Sequence, residues 1–176
     1  MKYNIQNIDI NNKFIFFWGH QPSKDGTITK TCFSQWWESA FVVEGIEYKT
    51  AEHWMMAKKA QLFNDEIHFK KIIEVKSPAE AKKLGREVQN YNDEIWLKNR
   101  YQIVKEGNFY KFSQHHDLKE FLLNTKDRIL VEASPVDAIW GIGMASDHQY
   151  INNPKKWRGL NLLGFALMEV RDELRK

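Results

Sequence analysis

The sequence predicts an α+β fold: one compact domain over residues 1–176, mainly helical, with a small sheet. Three observations carry this. Helix-capping residues (Thr50, Asp65, Ser77, Asn92 or Asp93) each precede apolar residues spaced by three and four. The candidate strands are few and short. They also do not alternate regularly with the helices, which disfavours a doubly wound parallel sheet. A chain of 176 residues suits a single core, and a hydrophobic fraction of 43% can fill it.

The elements follow in chain order. Lys13 to Gly19, KFIFFWG, reads as a strand, and QPSKDGT after it as a turn-rich loop. Phe41 to Tyr48 reads as a hairpin turning at Glu44-Gly45. TAEHWMMAKKA follows as a helix capped by Thr50. Asp65 caps a second helix carrying Ile67, Ile72 and Ile73. In SPAE, Ser77 caps, Pro78 takes the first helical position and Glu80 completes a capping box. Asn92 or Asp93 starts a longer helix through Trp96, Ile103 and Val104. DLKEFLLNT gives a short helix and RILVEAS, from Arg128, a strand. Leu163, Leu167, Val170 and Leu174 mark a terminal amphipathic helix.

Composition removes several function classes. The net charge of +3 permits an anionic ligand without demanding nucleic acid, since the basic residues are scattered doublets such as Lys58-Lys59 and Lys155-Lys156. The single cysteine, Cys32, cannot form an intrachain disulfide and fits a reducing, cytoplasmic setting. The first thirteen residues carry no apolar signal-peptide core, and no apolar run approaches the roughly 20 residues of a membrane span. Zinc, P-loop and G-x-S-x-G patterns are absent, so no metal or organic cofactor is expected.

Three segments can carry chemistry. In the first helix, Glu52, Met55, Met56 and Lys59 fall at i, i+3, i+4 and i+7 and share a face. Glu52 and Lys59 lie about 10.5 Å apart along the axis at about 1.5 Å per residue, too far to pair. Either the helix is half-exposed and both side chains reach water, or the face lines a pocket with an acid at one end and an amine at the other. In EASPVDAIWGIG, Asp137 and Trp140 follow a strand end, where carboxylates often face a cleft, and Gly141 permits close backbone approach. The alternative is an Asp that caps a turn beside a packed Trp. In WRGLNLLG, Arg158 and Asn161 near a helix start can meet a phosphate with the help of free N–H groups. A capped helix with a surface Arg is the competing reading.

Taken in order, FSQWW at Phe33, YKTAEHWMMAKKA at Tyr48, SPAEAKKLGR at Ser77, Trp96, KF at Lys111, LLNT at Leu122, LVEASPVDAIWGIG at Leu130 and WRGLNLLGFALMEVR at Trp157 resemble the NADAR family of YbiA-like N-glycosidases. The resemblance spans nearly the whole chain. It implies a compact, mostly helical α+β fold and cleavage of an N-glycosidic bond to a phosphorylated ribose. In one branch the substrates are ribosylamino-pyrimidine phosphates of early riboflavin synthesis, releasing ribose 5-phosphate. In another, ADP-ribose is removed from guanine, including guanine in DNA. The resemblance implies that Glu52 is the acid of T-x-E-H, Lys59 the helix lysine, Trp96 the family tryptophan and Asp137 the Asp before W-G. Two positions depart from the pattern: Gln35 stands where many bacterial members have Asn, and Ile142 where riboflavin-type members have Asp. Both are expected in the pocket wall and bear on substrate choice.

These residues suit the reaction. Glycoside cleavage builds positive charge on the sugar, which Glu52 or Asp137 can stabilise, or either can orient a water. Lys59 can hold a phosphate as a cation, or attack C1 as a neutral amine and form a Schiff base, with Lys58 helping to depress its pKa. Trp96 and Trp140 can stack on base or sugar, and Arg158 can contact the phosphate. Two readings compete with clearance of a small phosphorylated riboside: removal of ADP-ribose from guanine in DNA, and a non-catalytic module that binds ADP-ribose or a nucleotide.

Overall fold

A computed structural model describes residues 1–176. Its elements are β1 (Phe14–Phe17), β2 (Phe41–Val43), β3 (Ile46–Tyr48), α1 (Ala51–Leu62), α2 (Glu66–Glu74), α3 (Pro78–Arg86), α4 (Asp93–Gln114), α5 (His116–Leu123), β4 (Ile129–Glu132) and α6 (Leu162–Leu174). The α+β, mainly helical expectation holds. The small sheet is in fact two separate pairs: β2 with β3 antiparallel, and β1 with β4 parallel. No helix is long and apolar enough to cross a membrane. By internal packing the chain divides into two units. Residues 35–115 form one, and residues 1–34 with 116–176 form the other.

The continuous unit is built from local signals. Glu44 and Gly45 both adopt positive φ, 52° and 80°, the pair that a two-residue turn needs to match strand twist. Thr50 accepts the His53 amide, Asp65 the His68 amide and Asn92 the Ile95 amide, so each caps the helix that follows it. Ser77 and Glu80 exchange the two bonds of a capping box with Pro78 at the first position. At the far end of α2, the Lys49 ammonium binds the carbonyls of Ile73, Glu74 and Val75 at 2.9, 2.8 and 2.7 Å. Those carbonyls lack helical partners, and a cation there also complements the helix dipole.

Helix α1 is the hub of this unit and packs on α2, α3, α4 and β3. Residues 51–57 are all buried, so the half of α1 that carries Glu52 is enclosed, while Lys58, Lys59, Gln61 and Leu62 in its last turns are half-buried. Trp54 anchors it among Phe41, Tyr48 and Tyr110, with ring centroids 6.1, 4.9 and 5.3 Å away. Aromatic pairs of this kind contribute about 0.5–1.5 kcal/mol each beyond burial. The same burial pushes the Tyr48 phenol up to about 12. His53 donates Nε2–H to the Val75 carbonyl at 3.2 Å, which leaves Nδ1 to accept from the Thr50 hydroxyl at 2.8 Å. Burial holds this imidazole below its ordinary pKa, so it is a neutral structural group.

In the discontinuous unit, β1 pairs with β4 from Phe14 opposite Ile129 to Phe17 opposite Glu132. Helix α6 packs on β4 and on α5. Its residues 162–168 are buried without a break, because this helix fills the middle of its unit and does not merely cover it. Arg171, also buried, donates Nη1 to Thr125 Oγ1 and to the Arg128 carbonyl, both at 2.8 Å, tying α6 to the turn before β4.

Candidate active site

Glu52, Lys59 and Trp96 lie in the continuous unit; Asp137, Trp140, Gly141, Arg158 and Asn161 lie in the other. In the first, α1 and α4 run antiparallel. Trp54 Nε1 donates to the Ile103 carbonyl at 2.8 Å. One end of α1 carries Glu52, only 2% exposed. Its amide donates to the Gln35 carbonyl at 3.0 Å. Gln35 is itself buried, and Asn108 Nδ2 donates to its Oε1 at 2.7 Å and to the Val104 carbonyl at 2.9 Å. Lys111, one turn beyond Asn108, is fully buried. A carboxylate, two carboxamides and an ammonium are thus all buried within this unit, where each costs free energy to desolvate.

Two turns along α1 sits Lys59. Its Nζ donates to the Gly85 carbonyl at 2.8 Å. The same nitrogen lies 4.3 Å from the Tyr91 ring centroid and 5.6 Å from that of Trp96, whose ring is half-buried. Burial holds the Lys59 ammonium below its ordinary pKa, and the negative charge of Asp93 works against that. Lys58 is not the cause: its own amine turns to the Trp54 ring, 4.6 Å away, and to Gln61. The structure therefore brings Lys59 and Trp96 together and keeps Glu52 at the other end of the helix.

In the discontinuous unit, Asp137 Oδ1 accepts the amides of Ile139 and Trp140, both at 2.8 Å. One carboxylate oxygen is a turn cap, as the alternative reading had it, while Oδ2 makes no hydrogen bond. Gly141 is required by the protein's own backbone: a Cβ there would meet the Glu132 and Asp137 carbonyls at 2.8 and 2.9 Å. The Trp140 ring is half-buried, and Ile142 is wholly buried in the core.

Arg158 and Asn161 divide sharply. Arg158 is exposed and its guanidinium has no hydrogen bond or ion pair. Asn161 is buried, sits at positive φ (54°), and clamps β4 through Oδ1 to the Glu132 amide (3.0 Å) and Nδ2 to the Leu130 carbonyl (2.9 Å). Three N–H groups at this helix start are taken by the chain's own backbone. The amides of Asn161, Leu162 and Leu163 donate to the carbonyls of Gly141, Ile139 and Trp140. For those three amides the 137–141 loop supplies the acceptors that a phosphate was expected to provide.

Asn108 and Lys111 carry no role in the sequence reading above, which placed only Gln35 in the pocket wall. The signal was present. The buried positions of α4 run 104, 107, 108, 111 and 112, a helical stripe interrupted by Asn and Lys. The same anomaly in α1 drew attention to Glu52.

The NADAR domain family matches residues 16–175. The chain is 46% identical over 168 residues to N-glycosidase R617 of Acanthamoeba polyphaga mimivirus, covering 92% of this chain and 96% of that one. It is 33% identical over 132 residues to N-glycosidase YbiA of Escherichia coli K12, covering 75% and 74%. The NMR structure of E. coli YbiA superposes with a TM-score of 0.71 at 29% identity, covering 99% of this chain and 94% of that one. The class that these matches define is the N-glycosidase, a hydrolase acting on N-glycosyl compounds. This chain belongs to the NADAR family.

Proposed function

We propose that this protein hydrolyses the bond between C1 of a phosphorylated ribose and a base nitrogen. The substrates on this reading are ribosylamino-pyrimidine phosphates of riboflavin synthesis, and ribose 5-phosphate is released. The observation that carries the reading is α1 itself: a buried carboxylate, Glu52, and a half-buried lysine whose partial burial lowers its pKa, Lys59, on one helix.

The residues divide the work as follows. Neutral Lys59 Nζ gives its electron pair to C1 while the C1–N bond breaks, and that bond's electrons leave with the base nitrogen, which takes a proton from a carboxylic acid. Loss of a proton from Nζ and opening of the sugar ring, with O4 protonated, leave an iminium at C1. Water then adds to C1 and expels the lysine amine, so the net reaction is riboside plus water to ribose phosphate plus base. Glu52 and Asp137 are the carboxyl groups proposed for proton transfer and charge stabilisation, Trp96 and Trp140 the stacking surfaces, and Arg158 the phosphate contact. For Gly141 and Asn161 the contacts to the 137–141 loop and to β4 support a role in holding the substrate-facing residues in place.

The test is a mass-spectrometric assay with two substrates in parallel, a ribosylamino-pyrimidine 5'-phosphate and DNA carrying ADP-ribosylated guanine, with borohydride in half of each sample. Ribose 5-phosphate from the first, with a sugar adduct trapped on Lys59, is the expected result. ADP-ribose from the second alone replaces the proposed substrate, and turnover of neither overturns the catalytic reading in favour of a binding module.

A further inference from the structure

We infer that Tyr91 and Asp93 are positioning residues for Lys59, the ring fixing where its amine lies and the carboxylate governing the proton it carries. This deepens the covalent role proposed for Lys59 and rests on it. Neither residue figures in the motifs that mark the chain's resemblance to its family.

The geometry is a chain of contacts. Phe63, buried at the end of α1, meets Tyr91 edge-on with ring centroids 5.3 Å apart and planes at 64°. The Tyr91 hydroxyl donates to Asp93 Oδ1 at 2.8 Å. The ring so held presents its face to Lys59 Nζ at 4.3 Å, while the Gly85 carbonyl holds the same nitrogen at 2.8 Å. Asp93 opens α4, where the helix dipole favours a negative charge. Other charges near α1 are engaged elsewhere. Lys58 turns to Trp54 and Gln61, and Asp65, the cap of α2, accepts from the Gln89 amide and from His68. From α3, Gly85 offers only its carbonyl and Arg86 is exposed, so Asp93 is the carboxylate acting on Lys59.

The arrangement fits a nitrogen that must change charge. Burial favours the neutral amine that attacks. The iminium that follows places positive charge beside the same nitrogen, where aromatic faces and a carboxylate stabilise it. Tyr91 and Asp93 therefore act late in the bond-breaking step, and Asp93 also sets the pH below which the resting amine is protonated.

The experiment compares Tyr91→Leu, Tyr91→Phe and Asp93→Asn with the wild-type protein. It reads kcat and KM against pH on a ribosylamino-pyrimidine 5'-phosphate, with borohydride trapping on Lys59. Both side chains are exposed, so melting temperatures near wild type are expected. Tyr91→Leu should lower kcat by about tenfold or more with KM little changed, and Tyr91→Phe should recover most of it. Asp93→Asn should move the acid limb to lower pH, because a lost anion makes the amine easier to neutralise, and should lower the plateau. A wild-type adduct on Lys59 with variant profiles that overlay the wild type overturns this inference alone. Absence of any wild-type adduct overturns the covalent role and this inference with it.

Discussion

The Trp54 indole occupies the space that a side chain on Gly107 would need: a Cβ there would lie 2.3 Å from Trp54 Cδ1. The indole cannot step aside, because its Nε1 is bonded to the Ile103 carbonyl and its ring is packed on three aromatic neighbours. Gly107→Ala would gain about 1 kcal/mol of helix propensity. Overpacking a rigid core contact costs about 1–3 kcal/mol, so the variant should melt below wild type by calorimetry. A higher melting temperature would show that α1 and α4 can separate at no cost.

Glu52→Gln keeps the shape of a buried side chain and removes its ability to exchange a proton or carry charge. Turnover should fall by about 10²–10⁴-fold, while the melting temperature changes less than in Gly107→Ala. Full activity in the variant would remove Glu52 from the mechanism.

Stability should fall on acidification through the histidine range. His53 binds its proton more weakly in the folded protein than the unfolded chain does, whose histidines titrate near 6.5. Below that pH the unfolded state holds more protons, so the free energy of unfolding drops until the folded imidazole is protonated too. Denaturant melts at pH 7 and pH 5 should show the loss, and His53→Gln should reduce it. Equal slopes in both proteins would assign the acid sensitivity to another group.

Arg158 and Asn161, three residues apart, should fail in opposite ways. Arg158→Ala removes an exposed cation with no internal partner, so KM should rise with the melting temperature held. Asn161→Ala leaves the Glu132 amide and the Leu130 carbonyl without their partner, at a cost of about 1–3 kcal/mol each. A stable Asn161→Ala protein with raised KM would reverse the two assignments.

The helices were legible because their start signals are local: Thr50, Asp65, Ser77 and Asn92 each cap within three residues of themselves. The Glu44-Gly45 turn was legible for the same reason. The β1–β4 pairing was not, since nothing in FIFF names its partner in ILVE. In the site, the charged ends of α1 were visible as breaks in an apolar period. Whether Asn161 faces solvent or clamps β4 depends on a strand about thirty residues away, which no local pattern encodes. Gly141 misled similarly: what approaches it is the backbone at Glu132 and Asp137.

The parallel pairing of β1 and β4 also sets an order of events during synthesis. Residues 14–17 leave the ribosome first among the strands, yet their hydrogen-bonding edge waits until residues 129–132 are made, more than a hundred residues later. The hairpin and four helices of residues 35–115 all come from one continuous stretch of chain. FIFF is therefore unpaired while all of that stretch is being made, and an apolar edge held open that long is a natural place for a chaperone to act.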